Sequence, residues 1–348
     1  MRRPANVRAP LHPMAILLLI MFLAAACLLA GCAAGNGAGT ASPGMHGGPG
    51  ATGKAELPKE IGVRLRLAAG DSWKSRFVST SETRRTLVAP DGKATVKTRS
   101  VGLELVAVQK VLSVEGTVAR IEISESDARI LQDGKFLTAP YKQFNPPNPV
   151  VFTLDTAAGK ADFTAVRDAY GKWMAQLKEG PAGDIVGKTF RLAAYLAAIE
   201  EMYVKPFTRV AGRTVSKEET ATGKDVVLPF LGHGSGAPPV PVEGSMRYTG
   251  FSAAGGLHLL EVEGKYEGRT TLASREDLEV RLAEFGVNPT AEFSGSGEMK
   301  GRFRSSVDAL SGREVSSSNR LTYTAEWAFG GSKLVEEVAG KSTLEKAE

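Results

Sequence analysis

Residues 291–304, AEFSGSGEMKGRFR, read as a β-strand from end to end. Ala291, Phe293, Gly295, Gly297, Met299, Gly301 and Phe303 fall on one face; Glu292, Ser294, Ser296, Glu298, Lys300, Arg302 and Arg304 fall on the other. Successive side chains of a strand point to opposite sides, so this alternation predicts one dry face and one wet face, as antiparallel sheets have. Glycine on the dry face is unusual, because it weakens a strand and marks a bend or a close approach of another backbone or a ligand. The preceding run repeats the pattern, with Gly264, Tyr266 and Gly268 alternating with Lys265, Glu267 and Arg269. Together they predict a strongly curved sheet with a concave apolar side. Its candidate ligand face is Tyr266, Phe293, Gly295, Gly297, Met299, Gly301 and Phe303. Either a helix of the chain or an acyl chain would fill that concavity.

Period-two patterning extends in both directions. Downstream, Asp308 to Gly312 is a turn, Leu321, Tyr323, Ala325 and Trp327 alternate back, and a last strand from Leu334 to Leu344 completes a three-stranded meander. Ser274-Arg275-Glu276-Asp277 has the form of a capping box and starts a short helix through Leu278, Leu282 and Phe285. Upstream, Trp73, Ser75 and Phe77 share a face, Asp91-Gly92 is a hairpin turn, and Leu103, Leu105, Ile121 and Ile123 continue the alternation. Asn145 to Pro149 ends that section. Between the two β sections, Phe163, Val166, Tyr170, Trp173, Met174 and Leu177 recur at helical spacing up to Gly180-Pro181. Leu192, Tyr195, Leu196, Ile199, Met202 and Tyr203 form a second stripe, N-capped by Thr189 and ended near Pro206. Residues 223–245, rich in Gly and Pro, read as a connector. The expected class is α+β: predominantly antiparallel, strongly curved sheet with two or three helices packed on one side. The expected divisions are 59–160 and 211–348 for the β sections and 161–210 for the helices, forming one interlocked domain or two similar halves.

The N-terminus carries a different kind of signal. Arg2, Arg3 and Arg8 precede an almost unbroken apolar run from Met14 to Leu29, and Leu29-Ala30-Gly31-Cys32 follows, before a segment to residue 58 of Gly, Ala, Ser and Pro. This resembles the signal of bacterial lipoproteins. The resemblance implies a signal peptide over 1–31, recognition through Leu29, Ala30 and Gly31, and cleavage before Cys32. It also implies acylation of Cys32, and a flexible tether over 32–58. Several acyl chains, at about 0.8 kcal/mol per buried CH₂, anchor firmly where one is marginal. Ala33 is consistent with the outer membrane, facing the periplasm or the cell surface. The body is similar to uncharacterised β-rich bacterial lipoprotein families.

Cleavage also changes the charge. The leader holds three arginines and no acid, so the formal +5 falls to +2. Basic and acidic residues are interspersed, and a nucleic-acid partner is not expected. Cys27 lies in the leader and Cys32 is the anchor, leaving the body no disulfide, thiol nucleophile or cysteine metal site. His233 and His258 do not form a ligand pair, and no metal or cofactor is expected. Gly250-Phe251-Ser252-Ala253-Ala254 resembles a nucleophile elbow and Gly232-His233-Gly234-Ser235-Gly236 an esterase oxyanion loop. However, a strand follows Ser252, and His258 leaves no room for an intervening acid. The leading expectation is a non-enzymatic, lipid-anchored envelope protein that binds or scaffolds a protein or lipid partner. A periplasmic acyl-chain carrier is the alternative, and a serine hydrolase a distant third.

Overall fold

The computed structural model describes residues 59–132, 135–137, 148–178, 192–218, 220–227, 240–254, 257–289 and 292–347. The expected signal peptide, Cys32 and tether lie outside them. So do Thr189, Gly180-Pro181 and the oxyanion-like loop.

Strands β1 (Glu60–Gly62), β2 (Ser72–Val88), β3 (Ala94–Glu115), β4 (Val118–Gln132), β5 (Lys135–Leu137), β6 (Val150–Asp155) and β7 (Lys160–Asp162) come first. Helix α1 (Thr164–Lys178) follows. Helix α2 is built from three consecutive stretches, Leu192–Ile199, a π turn Glu200–Val204, and Lys205–Thr208. The chain continues through β8 (Thr214–Ser216), β9 (Thr220–Val227), β10 (Val240–Ala254), β11 (Leu257–Thr271), helix α3 (Arg275–Ala283), β12 (Phe293–Asp308), β13 (Glu314–Phe329) and β14 (Ser332–Lys346).

One antiparallel sheet dominates, in the order β7-β6-β4-β3-β2-β14-β13-β12-β11-β10-β9, with β5 also paired to β4. β1 and β8 form a separate pair. Both β sections therefore belong to one sheet. Its seam is β14 against β2, running in register from Lys333↔Val88 to Lys346↔Ser75. Helices α1 and α2 and the short strand β8 lie between β7, at one edge, and β9, at the other; α3 lies between β11 and β12.

The expected class is corrected. The protein is mostly β, 63% strand and 16% helix, and the sheet is neither closed nor strongly curled. The strand glycines suggested curvature, but at Gly264, Gly295, Gly297 and Gly301 the Cβ position is taken by a neighbouring side chain, and at Gly268 by the Pro241 carbonyl. The second helix ends at Thr208, near Pro206 as expected; a π turn precedes Pro206, which falls at the start of the last α turn, where a missing amide costs little. One local expectation is corrected as well. The ends of the expected connector, Gly223–Val227 and Val240–Ser245, are strand, with Pro241 opposite Val226.

Other local readings hold. Gly92 takes φ +80° in the Asp91-Gly92 hairpin. Ser274 caps α3, its Oγ accepting from the Asp277 amide at 3.2 Å.

The apolar face of the sheet carries two clusters. In the first, Leu105, Ile121, Phe152, Leu260 and Val307 pack with Tyr203, Val204 and Phe207 of α2. In the second, Met299, Tyr323, Trp327 and Leu334 pack with Leu278 and Leu282 of α3. Ion pairs seat both helices. Lys205 of α2 reaches Glu201 at 2.7 Å and donates to the Val226 carbonyl of β9, and Arg209 reaches Glu314 of β13 at 3.1 Å. Arg281 of α3 donates to Glu336 at 3.1 Å, which also pairs with Arg85 at 2.5 Å. Arg85 and Arg99 both reach Glu284, at 2.6 and 3.2 Å.

Candidate functional site

The sequence-derived ligand face is assembled on one side of β11 and β12. Met299 is fully buried, Gly297, Gly301 and Phe303 are buried, and Tyr266, Phe293 and Gly295 are half-buried. Gly264, Gly268 and Gly301 also border the trough described below, but on the apolar face the side-chain positions of these glycines are taken by neighbours. A Cβ on Gly301 would fall inside the ring of Tyr266, its direct cross-strand partner. A Cβ on Gly264 would fall inside the ring of Phe303, again its partner. On Gly297 it would lie 2.8 Å from the Tyr323 hydroxyl, and on Gly295 2.7 Å from Trp327. Each of these four glycines is thus the seat of a ring laid flat across the ladder, a known way of covering a strand glycine. Tyr266 Oη then donates to Asn319 at 2.9 Å, and burial, with the Glu201 carboxylate adding to it, pushes the phenol up.

The hydrolase-like residues are not gathered into an elbow. Ser252 sits within β10, paired with Leu259, and the exposed ring of His258 stacks on Phe251 at 5.9 Å. Among the described residues no helix is long and apolar enough to cross a membrane.

The opposite face holds what sequence reasoning missed. A trough of about 2000 Å³ crosses the outer side of β9–β13. Its lining carries eight basic side chains against four acidic ones. Cross-strand neighbours on a sheet interact directly, with opposite charges favourable and like charges unfavourable by up to about 1 kcal/mol. Most of the trough obeys this rule. Glu263 stands between Arg247 and Arg304, at 2.5 and 3.8 Å. Glu298 pairs with Lys300 at 2.8 Å and Arg269 at 4.0 Å, and the hydrogen bond and charge of Lys300 hold its carboxyl below the usual range.

A whole row breaks it. Lys265 of β11 lies opposite Arg302 of β12, Arg302 opposite Arg320 of β13, and Arg320 opposite Lys341 of β14. All four are exposed. At about 4.8 Å per strand, four like charges line up over about 14 Å. The sequence showed that Lys300, Arg302 and Arg304 share the wet face, but only the register reveals the row.

No protein-family model matches the chain, and no curated protein does. Among solved structures it is similar to lipovitellin, in a structure titled for its lipid–protein interactions. The TM-score is 0.37 and the identity 11%, over 81% of this chain and 26% of that one. The chain thus spans about a quarter of the lipovitellin chain. It is also similar to OpdQ of Pseudomonas aeruginosa (TM-score 0.18, 10% identity, 78% and 97% of the two chains) and to the CymD monoaromatic hydrocarbon channel (0.15, 8%, 81% and 90%). At these scores the likeness carries no functional argument.

Proposed function

We propose that the chain is a lipid-anchored binding protein of the bacterial envelope, without catalytic chemistry, whose working surface is the outer trough of β9–β13. The observation that carries this reading is the contrast between the two faces. On the apolar face the glycine seats hold the protein's own rings, whereas the outer face offers a wide trough lined by charged side chains. The Leu29–Cys32 signal supports the anchor.

Photo-crosslinking in cells tests the surface. A crosslinker replacing Thr322, which lines the trough, is expected to capture an envelope component; one replacing Thr98, on the outer side of β3, is not. Equal capture from both positions overturns the assignment. Mass spectrometry of the purified chain is expected to find no stoichiometric lipid beyond the anchor, and an equimolar extra acyl lipid would turn the reading to the carrier. Labelling with an alkyne fatty acid is expected in the parent and lost in Cys32→Ser; retained label would remove the anchor.

A further inference from the structure

The row Lys265–Arg302–Arg320–Lys341 sets four like charges side by side, where the other like-charge oppositions among the described residues, Glu243–Glu267 and Arg85–Lys97, are single pairs. The row on one side of it alternates in sign, Arg247–Glu263–Arg304. On the other side, Lys300 is flanked by Glu267 across the ladder and by Glu298 two residues earlier on its own strand. A sheet face that only needs to stay wet gains from interleaving, since like charges directly opposite one another repel. Arg302, Arg320 and Lys341 have no ion-pair partner among the described residues. Three of the four cations lie on the lining of the trough, with Lys341 just beyond it on β14. Guanidinium groups bind phosphate through two parallel N–H···O bonds, and side-by-side arginines therefore favour phosphate oxygens over a diffuse negative field.

We propose that this row is a phosphate-binding track, and that its ligand is an extended phosphate-bearing polymer lying across the strands. The shape of the site argues for a chain over a bilayer. The cations stand in single file, one per strand at about 4.8 Å intervals, which an extended chain can follow phosphate by phosphate. The row crosses the strands, so successive phosphates would meet successive strands, each presenting one cation. The proposal rests on the reading of the trough as the working surface and specifies its ligand chemistry.

Linear inorganic polyphosphate is the probe, titrated into the full chain in non-ionic detergent and read by fluorescence anisotropy at several salt concentrations. The parent is expected to bind, with affinity falling steeply as salt rises. Arg302→Gln with Arg320→Gln is expected to lower affinity at least tenfold and to flatten the log–log salt slope by about one to two, as the loss of two phosphate contacts does. Arg120→Gln with Lys93→Gln removes the same charge away from the trough and is expected to change affinity less than twofold. The row variant should unfold at a denaturant concentration no lower than the parent, because the change relieves repulsion. An equal loss in both variants reduces the effect to net charge and overturns the track. No binding of polyphosphate, or binding only to phosphatidylglycerol vesicles, overturns the polymer. Trough crosslinks in cells without polyphosphate binding leave the working surface standing and remove only the ligand class. Polyphosphate binding without those crosslinks does the reverse.

Discussion

Gly301 and Tyr266 face one another across β11 and β12, and the ring occupies the volume a side chain at 301 would need. Adding even one methyl forces the ring or the backbone aside in a packed region. Gly301→Ala is expected to cost about 1–3 kcal/mol, read as a lower denaturation midpoint. Gly171 is the opposite case: it lies exposed within α1 with nothing within 4 Å of a Cβ. Gly171→Ala is therefore expected to stabilise by about 0.5–1 kcal/mol. A midpoint unchanged in Gly301→Ala would remove the seating argument. The alternation of residues 291–304 was fully legible in the sequence, including which residues share a face. The purpose of the glycines was not legible, because a glycine and the ring that covers it sit on different strands, and their meeting depends on register. The same property reads as curvature when the partner is unknown.

Helix α3 is held over the sheet by a carboxylate between two guanidiniums. Glu336 is fully buried, as is Arg281, and Arg85 is nearly so. Burial alone would raise the Glu336 carboxyl, but the charges of Arg281 and Arg85 outweigh it and hold it below the usual range. A carboxylate depressed in the fold stabilises above its unfolded pKa, about 4.3, and that contribution is lost as pH falls through the lower folded value. Glu336→Gln leaves the buried Arg281 guanidinium without a carboxylate, and Arg85 with Glu284 alone, and is expected to cost about 3–5 kcal/mol at neutral pH. It is also expected to abolish this portion of the acid loss, checked by denaturation from pH 2 to 7.

Glu125 of β4 behaves in the other direction. Its carboxyl accepts from the Tyr203 hydroxyl of α2, and burial pushes it up to about 8. The folded state then holds a proton that the unfolded chain has released, so stability falls as pH rises from about 4.3 to 8 and levels beyond. Glu125→Gln is expected to remove that fall, leaving the variant more stable than the parent at pH 8. A parent whose stability is flat over that window would sink the assignment. The helices themselves were legible from their apolar spacing, and Ser274 from its capping box. The π turn over Glu200–Val204 was not, since such a turn leaves no clear mark in residue periodicity.

The whole sheet is one meander cut and rejoined. From edge to edge its strands run β9 to β14 and then β2 to β7, so the first long strand and the last meet in the middle. Hydrogen exchange is expected to show one protected class spanning β13, β14, β2 and β3, with faster exchange at β7 and β9. Two classes dividing at the β14–β2 seam would mean two separable halves. That pairing has no signature in the sequence: each strand announces its wet and dry faces, and nothing announces which distant strand it will meet. The cation row shares this property, being written one residue per strand across four strands.

The central seam also dictates an order of events during synthesis. When the chain has been made as far as Gly331, β2 still presents a 17-residue unpaired edge, and its partner is the final 15-residue strand. An open edge of that length is a template for joining other chains. A chain ending at residue 331 is expected to aggregate where the full chain stays soluble. The sheet can thus close its central seam only after β14 has been made, whatever the state of the strands that precede it.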